Sequence, residues 1–330
     1  TFGQAVHLPL TANQPASSSS IAYQTRAGND RVWVVNQDNS SVTVIDAVTN
    51  AKLSEVSVGN APRAVAVAPD GRVWVTNKVS ATISIIDPVT LGVAQTIAMP
   101  RASAPYGIVF SPAANEAFVA LEATGQLLKL DASSGSTLMS VGAGPNPRHV
   151  AINAAGTAVY VSRFVTPRQP GEETAVVQSD IGGVPQGGEV LVFASANLTL
   201  SDIIVLQHSD KADAENQGSG VPNYLGAAAV SPDGTVAWVP SKMDNVKRGS
   251  LRNGLNINFQ NTVRAIGSSI DLAAGSETYA DRIDFDDSSV ASAAAFDPLG
   301  IYMFVALETS REIAVVDAHG AYEIFRFDAD

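Results

Sequence analysis

A strand core of an aromatic residue, Val and two further residues, each time preceded by a turn, recurs six times along the chain and constrains its fold more than any other feature. The six copies begin at Trp33, Trp74, Phe118, Tyr160, Trp238 and Phe304. Successive copies are 41, 44, 42, 78 and 66 residues apart, so the last two spacings correspond to one period plus insertions. Regular periods of this length are typical of repeat architectures, in which each unit packs against the next.

One repeat contains four short apolar segments. In the second repeat they cover residues 64–68, 73–76, 82–86 and 94–98, and only a few residues separate them. Short connections join antiparallel neighbours, and a repeated four-stranded unit of about 40 residues is the signature of a propeller blade. The sequence therefore predicts an all-β fold, a β-propeller of four-stranded antiparallel blades. A solenoid and a generic sandwich are the alternatives.

The repeat divides one predicted propeller domain, residues 1–330, into a closing strand and six blades. The strand covers residues 1–10, and the blades cover 18–60, 61–100, 101–144, 145–206, 222–287 and 288–330. Residues 4–10 resemble a lone fourth strand, and 11–20 are expected to form a flexible connector. We expect seven blades in the intact protein, the seventh completed beyond Asp330, with a six-bladed ring as the alternative. The chain begins without Met, which predicts a processed or trimmed start.

Composition limits the classes of partner. The chain has 20 Lys and Arg residues against 32 Asp and Glu residues, a net charge of −12. Nucleic acids and anionic lipids both require basic surfaces, so neither is expected as a partner. The chain has no Cys, which excludes disulfides, thiolate metal sites and covalent haem attachment within it. No apolar stretch approaches the ~18 residues of a membrane span.

Three insertions interrupt the repeat, at residues 164–187, 207–225 and 242–262. The first and third lie between the second and third strands of a repeat, and the second lies between two repeats. Because successive strands alternate in direction, loops after the second and fourth strands emerge on one face. All three insertions are therefore predicted to decorate that face, and long loops on a rigid scaffold commonly carry function.

We expect a partner site at the mouth of this face, built from polar and charge-paired contacts. Its candidate residues are Arg163, Lys242, Asp244, Asn245, Arg248, Glu308 and Arg311. The second insertion is rich in acidic residues and the third in basic residues. The two either form an acidic metal or ligand pocket beside a basic clamp, or are salt-bridged to each other and merely packed.

Metal binding and catalysis have weaker support. Candidate metal ligands are Asp210, Asp213 and Glu215 of the second insertion, and the run of Asp284, Asp286 and Asp287 could supply oxygen ligands to calcium. No EF-hand or paired-His spacing accompanies them. No nucleophile elbow, phosphate loop or dinucleotide motif occurs. The sequence thus favours a non-enzyme without deciding the question, because propeller enzymes assemble their sites from several blades.

The first two repeats, from Arg63 to Asn77 and on to Asp87, resemble the YVTN family of β-propellers. Residues 161–172, 221–225, 238–249, 263–272 and 306–313 are similar to large bacterial extracytoplasmic proteins, in which a seven-bladed YVTN propeller precedes a c-type cytochrome region akin to di-haem peroxidases. The resemblance implies a periplasmic or extracellular location. It places haem only in an adjoining region.

The sequence and the resemblance together predict an extracytoplasmic recognition or scaffold domain. Its loop-bearing face is expected to dock a protein, a polymer or an attached electron-transfer domain such as a c-type cytochrome. One alternative is a lactonase or lyase whose metal, held in a central channel, polarises a substrate carbonyl. The other is a structural surface-layer protein. No cofactor is predicted within the chain apart from the candidate calcium.

Overall fold

Short apolar strands joined by tight turns form nearly all of the regular structure. The computed structural model describes residues 13–171, 180–211, 218–245 and 262–329. Two compact units are present: an N-terminal unit of Ala16–Val161 with Phe193–Thr199, and a C-terminal unit comprising mainly Ser162–Val192 and Leu200–Asp330. In the described part of the chain, no helix has the length and apolarity needed to cross a bilayer.

The first three blades are regular four-stranded antiparallel sheets in sequential strand order. They follow a short strand, β1 (Ala16–Ser17). The first blade contains β2 (Ile21–Gln24), β3 (Arg31–Asn36), β4 (Ser41–Asp46) and β5 (Lys52–Ser57). The second contains β6 (Pro62–Val67), β7 (Val73–Asn77), β8 (Thr82–Asp87) and β9 (Gly92–Ala98), and the third β10 (Pro105–Phe110), β11 (Glu116–Leu121), β12 (Gln126–Asp131) and β13 (Thr137–Gly142).

The next three blades carry the insertions. The fourth contains β14 (Pro147–Ile152), β15 (Ala158–Arg163), β18 (Gly187–Ala194) and β19 (Leu200–Gln207), and the hairpin β16 (Asp180–Ile181) and β17 (Val184–Pro185) lies in its insertion. The fifth contains β20 (Val221–Asn223), β21 (Ala229–Val230), β22 (Val236–Asp244), β23 (Val263–Asp271), β24 (Ser276–Glu277) and β25 (Ile283–Phe285), with a 3-10 turn at Tyr279–Asp281. The sixth contains β26 (Ala291–Phe296), β27 (Tyr302–Leu307), β28 (Glu312–Asp317) and β29 (Tyr322–Asp328).

These six sheets confirm the predicted class: the fold is an all-β, six-bladed β-propeller. The seventh blade, and the assignment of residues 1–330 to one domain, stay predictions. The predicted closing strand, residues 1–10, lies outside the described residues.

The repeated aromatic residues lie on the second strands, as predicted, but one of the six is not buried. The five from Trp33 to Trp238 have exposed fractions of 6% or less, whereas Phe304 is 39% exposed. In β27 the residues of the opposite face, such as Met303 and Val305, are fully buried. Among the described residues, the last sheet therefore buries one apolar face and leaves Phe304, on the other face, partly open to solvent.

Residues 16–19 correct a second expectation, since this stretch of the predicted flexible connector is ordered by hydrogen bonds. The strand β1 pairs antiparallel with β14. The Ser18 amide donates to the Val150 carbonyl at 2.8 Å, and the Ser18 hydroxyl accepts from the Val150 amide at 3.0 Å. The carbonyl of Ser19 accepts from the Val65 amide at 2.9 Å. The connector thus lies along the first strands of the second and fourth blades.

Candidate partner-binding site

The three insertions meet one another within the C-terminal unit. The backbone amide of Thr166 in the first insertion donates to the Asn223 side chain of the second at 3.0 Å. The Asn223 side chain donates to Asp244, where the third begins, at 2.7 Å. In addition, β20 pairs with the outer half of β22. The described parts of the insertions therefore form one contiguous surface, which confirms that prediction.

An aromatic pair lies at the centre of this surface. The rings of Phe164 and Tyr224 are stacked, with centroids 4.3 Å apart. The ammonium of Lys242 lies 3.8 Å from the centroid of the Tyr224 ring. Tyr224 is 41% exposed, and so is the neighbouring Val165. A large, partly solvated aromatic held between a second ring and a cation is a common anchor in protein interfaces.

The backbone of Tyr224 is itself unusual. Its φ is +52°, in the left-handed region that bulky residues rarely adopt. Tyr224 is the only aromatic among the described non-glycine residues with positive φ. Such a conformation persists where the surroundings impose it. Here the stacking with Phe164 and the hydrogen bonds of Asn223 hold the ring in place.

The predicted charged residues of this surface are paired with each other. Lys242 lies 2.9 Å from Asp244, and Arg163 is bonded to Glu189. All four side chains are no more than 25% exposed. Neither pair joins the second insertion to the third, so both alternatives for these two insertions stay predictions. Tyr224 and Val165, each 41% exposed, are more accessible than these paired side chains.

The other predicted site residues are more scattered. The backbone amide of Asn245 donates to Thr262 at 3.0 Å, next to the Lys242 pair. Glu308 and Arg311 are exposed in the loop between β27 and β28 of the sixth blade. Arg248 lies outside the described residues. The contact of these residues with a partner stays a prediction.

The candidate metal ligands are engaged in protein contacts or lie outside the described residues. Asp210 is 3.5 Å from the buried ring of His208, and Asp213 and Glu215 fall in the undescribed part. Asp284 and Asp286 both pair with Arg264, at 2.6 and 3.0 Å, and burial raises the pKa of Asp284 despite that pair. No group of three His, Cys, Asp or Glu residues suited to a metal occurs among the described residues. Calcium binding, also suggested for Asp287, stays a prediction.

A second polar cluster, in the N-terminal unit, was missed by the sequence analysis. The ring of Tyr106 has three cations around it: Arg148 at 4.7 Å, Lys78 at 5.4 Å and Arg63 at 5.9 Å from the centroid. The carboxylate of Glu122 bonds both Lys78, at 2.5 Å, and Arg148. Burial opposes the ionisation of Glu122, but the hydrogen bonds and charges of Lys78 and Arg148 outweigh it and lower the pKa of this carboxyl. The cluster lies where the first strands of its blades begin and the second strands end.

Comparison with known proteins places the repeats in a family. Residues 5–170, just over half of the chain, match the YNCE-like β-propeller family. The chain belongs to this family. Among curated proteins, no relative matches it significantly.

Two solved structures resemble this YNCE-like propeller over most of its length. A chain of Kuenenia stuttgartiensis hydrazine synthase shares 17% identity with a TM-score of 0.72, over 99% of this chain and 90% of that one. A functionally unknown protein from Desulfotomaculum acetoxidans DSM 771 shares 14% identity with a TM-score of 0.57, over 97% and 86%. At such identities the likeness shows the fold alone.

The sequence of residues 5–170, which match the family, does contain a signal for the cation cluster around Tyr106. Arg63, Tyr106 and Arg148 each directly follow a proline that begins the first strand of a blade: Pro62, Pro105 and Pro147. Residues in the same register of successive blades lie at equivalent places, so three large polar side chains in this register predict a shared surface.

Proposed function

We propose that this YNCE-like propeller is an extracytoplasmic recognition domain that docks a protein partner on the insertion surface, with Tyr224 as the central anchor. The observation that carries the proposal is the exposed, positive-φ Tyr224 ring, stacked on Phe164 and covered by Lys242. An anchor that is already held in place costs little conformational entropy on binding. Tyrosine is also enriched among residues that dominate binding energy.

The kind of partner follows from the balance of charge and apolar surface. Lys242 and Arg163 are already paired with acidic neighbours, so they offer little unpaired charge to a polymer of either sign. Tyr224, Val165 and the hairpin residues Ile181 and Val184 provide exposed apolar area, each at least 41% exposed. A protein surface with an apolar centre fits this arrangement best. The extracytoplasmic location is supported by the resemblance of the C-terminal repeats to periplasmic and secreted bacterial proteins.

A photo-crosslinking residue at Val165, introduced into the protein in its native cells, tests the proposal and identifies the partner. With the purified partner, we expect Tyr224→Ala to weaken binding by about thirtyfold, as loss of an anchor worth about 2 kcal/mol does. Tyr322→Ala is the matched control, because Tyr322 is also exposed, at 54%, but is the first residue of β29, at the opposite end of its blade. Equal binding by the two variants, or crosslinks at Val165 no stronger than at Tyr322, would refute the proposal.

A further inference from the structure

The cation cluster of the N-terminal unit contains an arginine, Arg63, that has no counter-charge among the described residues. Arg63 is half-buried and forms no ion pair among the described residues. Its guanidinium bonds the neutral side chain of Gln37, and its buried Nε has no hydrogen-bond partner. Buried donors and buried charges are normally satisfied, because leaving one unpaired is costly. Within the part of the chain that the structure describes, Arg63 thus has no acidic partner.

The adjacent residues show which partner suits this site. Glu122 binds Lys78 and Arg148 beside the ring of Tyr106, so the cluster already holds one carboxylate. Arg63 lies over the same ring without one. A guanidinium presents a planar fork of donors that matches the oxygens of a carboxylate or a phosphate. The guanidinium of Arg63 therefore suits a second oxyanion in this cluster.

An open depression of about 490 Å³ adjoins the cluster. Its lining comprises Glu122 with residues 123–125, 142 and 144–146, whereas Arg63, Lys78 and Tyr106 lie beside it. Volumes of this size accommodate small organic molecules. Because the chain as a whole carries a net charge of −12, attraction of an anion must come from local groups. Arg63 and Lys78 provide that attraction.

We propose that Arg63, with Lys78 and the ring of Tyr106, forms a binding site for the oxyanion group of a small molecule, a carboxylate or a phosphate. This site is separate from the insertion surface, and its failure leaves the proposed docking function untouched. The ligand supplies a counter-charge to Arg63 and accepts from the guanidinium of this half-buried side chain. The rest of the molecule lies in the depression beside Glu122.

Thermal denaturation and calorimetry with two probes test the site, each at constant ionic strength with chloride as reference. Inorganic phosphate tests a phosphoryl ligand, and citrate tests a carboxylate ligand. We expect a saturable rise in melting temperature with at least one probe, as a ligand that binds only the native state produces. Arg63→Gln should weaken that binding by about tenfold or more, and Arg63→Lys should restore part of it.

The matched control is Arg101→Gln, because Arg101 is an exposed arginine of the same unit. The Arg101→Gln variant should bind either probe with the same affinity as the unchanged protein. Circular dichroism establishes that Arg63→Gln is folded before binding is compared. The proposal is overturned if neither probe binds saturably up to about 10 mM. It is equally overturned if Arg63→Gln and Arg101→Gln bind alike.

Discussion

Trp74 packs edge-on against Phe110, with ring centroids 5.3 Å apart and an interplanar angle of 87°. Trp74 lies on the second strand of the second blade, and Phe110 ends the first strand of the third. Both rings belong to one cluster of buried residues shared by the two blades. The aromatic residue of each repeat can thus fill the space between its own sheet and the next one, and its burial depends on the presence of that next sheet.

The repeated aromatic residues should therefore differ in their contributions to stability. Trp74→Ala should lower the free energy of unfolding by about 3–5 kcal/mol, because it removes a fully buried ring and leaves a cavity. Phe304→Ala should cost clearly less, because Phe304 is 39% exposed. Urea denaturation of the two variants measures the difference. Equal losses would show that Phe304 is covered in solution.

Gly107, in the third blade, should be required for the backbone of residues 16–19 to follow its observed path. A Cβ on Gly107 would lie 2.6 Å from the Arg148 carbonyl oxygen and 2.9 Å from Ser18 Oγ. Gly107→Ala should therefore lower the melting temperature by several degrees, because the backbone at Arg148 and the side chain of Ser18 must move away from the new methyl group. Gly142→Ala is the control, because its Cβ would meet nothing within 4 Å. Similar melting temperatures for both variants would contradict the observed path of the connector.

The sequence analysis predicted those features that each repeat specifies locally. Strand positions, the aromatic register and the shared end of the three insertions follow from a period near 42 residues and from alternating strand direction. The exposure of Phe304 could not be predicted, because its motif is the same as that of Phe118. Only a neighbouring sheet distinguishes the two residues, and the sequence motif carries no information on it.

The candidate sites were less predictable, because they depend on contacts between distant residues. The choice of Lys242 and Asp244 came from their position in an insertion, but their pairing with each other was not foreseen. The importance of Tyr224 arises from its φ and from stacking with Phe164, 60 residues earlier. Neither a backbone angle nor a stacked pair leaves a motif that a single sequence displays.

The turns after the third strands should make stability sensitive to acid. The carboxylate of Asp131 accepts from the amides of Ser133 and Ser134 at 3.1 and 2.7 Å, and Asp46, Asp87 and Asp317 cap equivalent turns. These bonds lower the pKa of all four carboxyls. Since the folded pKa lies below the unfolded value of about 3.9, the stabilisation is complete above that value and is lost as pH falls through the folded pKa.

Melting temperatures of the unchanged protein and of Asp131→Asn, measured from neutral pH downwards, test this dependence. The unchanged protein should be the more stable at neutral pH, and its advantage should shrink as pH falls below the unfolded value of about 3.9 and through the lowered pKa of Asp131. Asp38→Asn is the control, because Asp38 is exposed in the loop between β3 and β4. An advantage that stays constant down to the lowest pH would mean that the Asp131 cap does not depend on charge.

Glu122 has opposite effects on stability and on the proposed anion site, and one variant separates them. Its side chain is 9% exposed and neutralises two cations that are themselves 28% and 16% exposed. Glu122→Gln should lower the free energy of unfolding by about 1–3 kcal/mol, less than for a fully buried pair because Lys78 is partly solvated. The same change leaves Lys78 and Arg148 without their carboxylate, so citrate or phosphate should bind more tightly than to the unchanged protein. Denaturation and calorimetry on this one variant give both readouts, and lower stability with unchanged or weaker anion binding would show that Glu122 and the ligand do not share these cations.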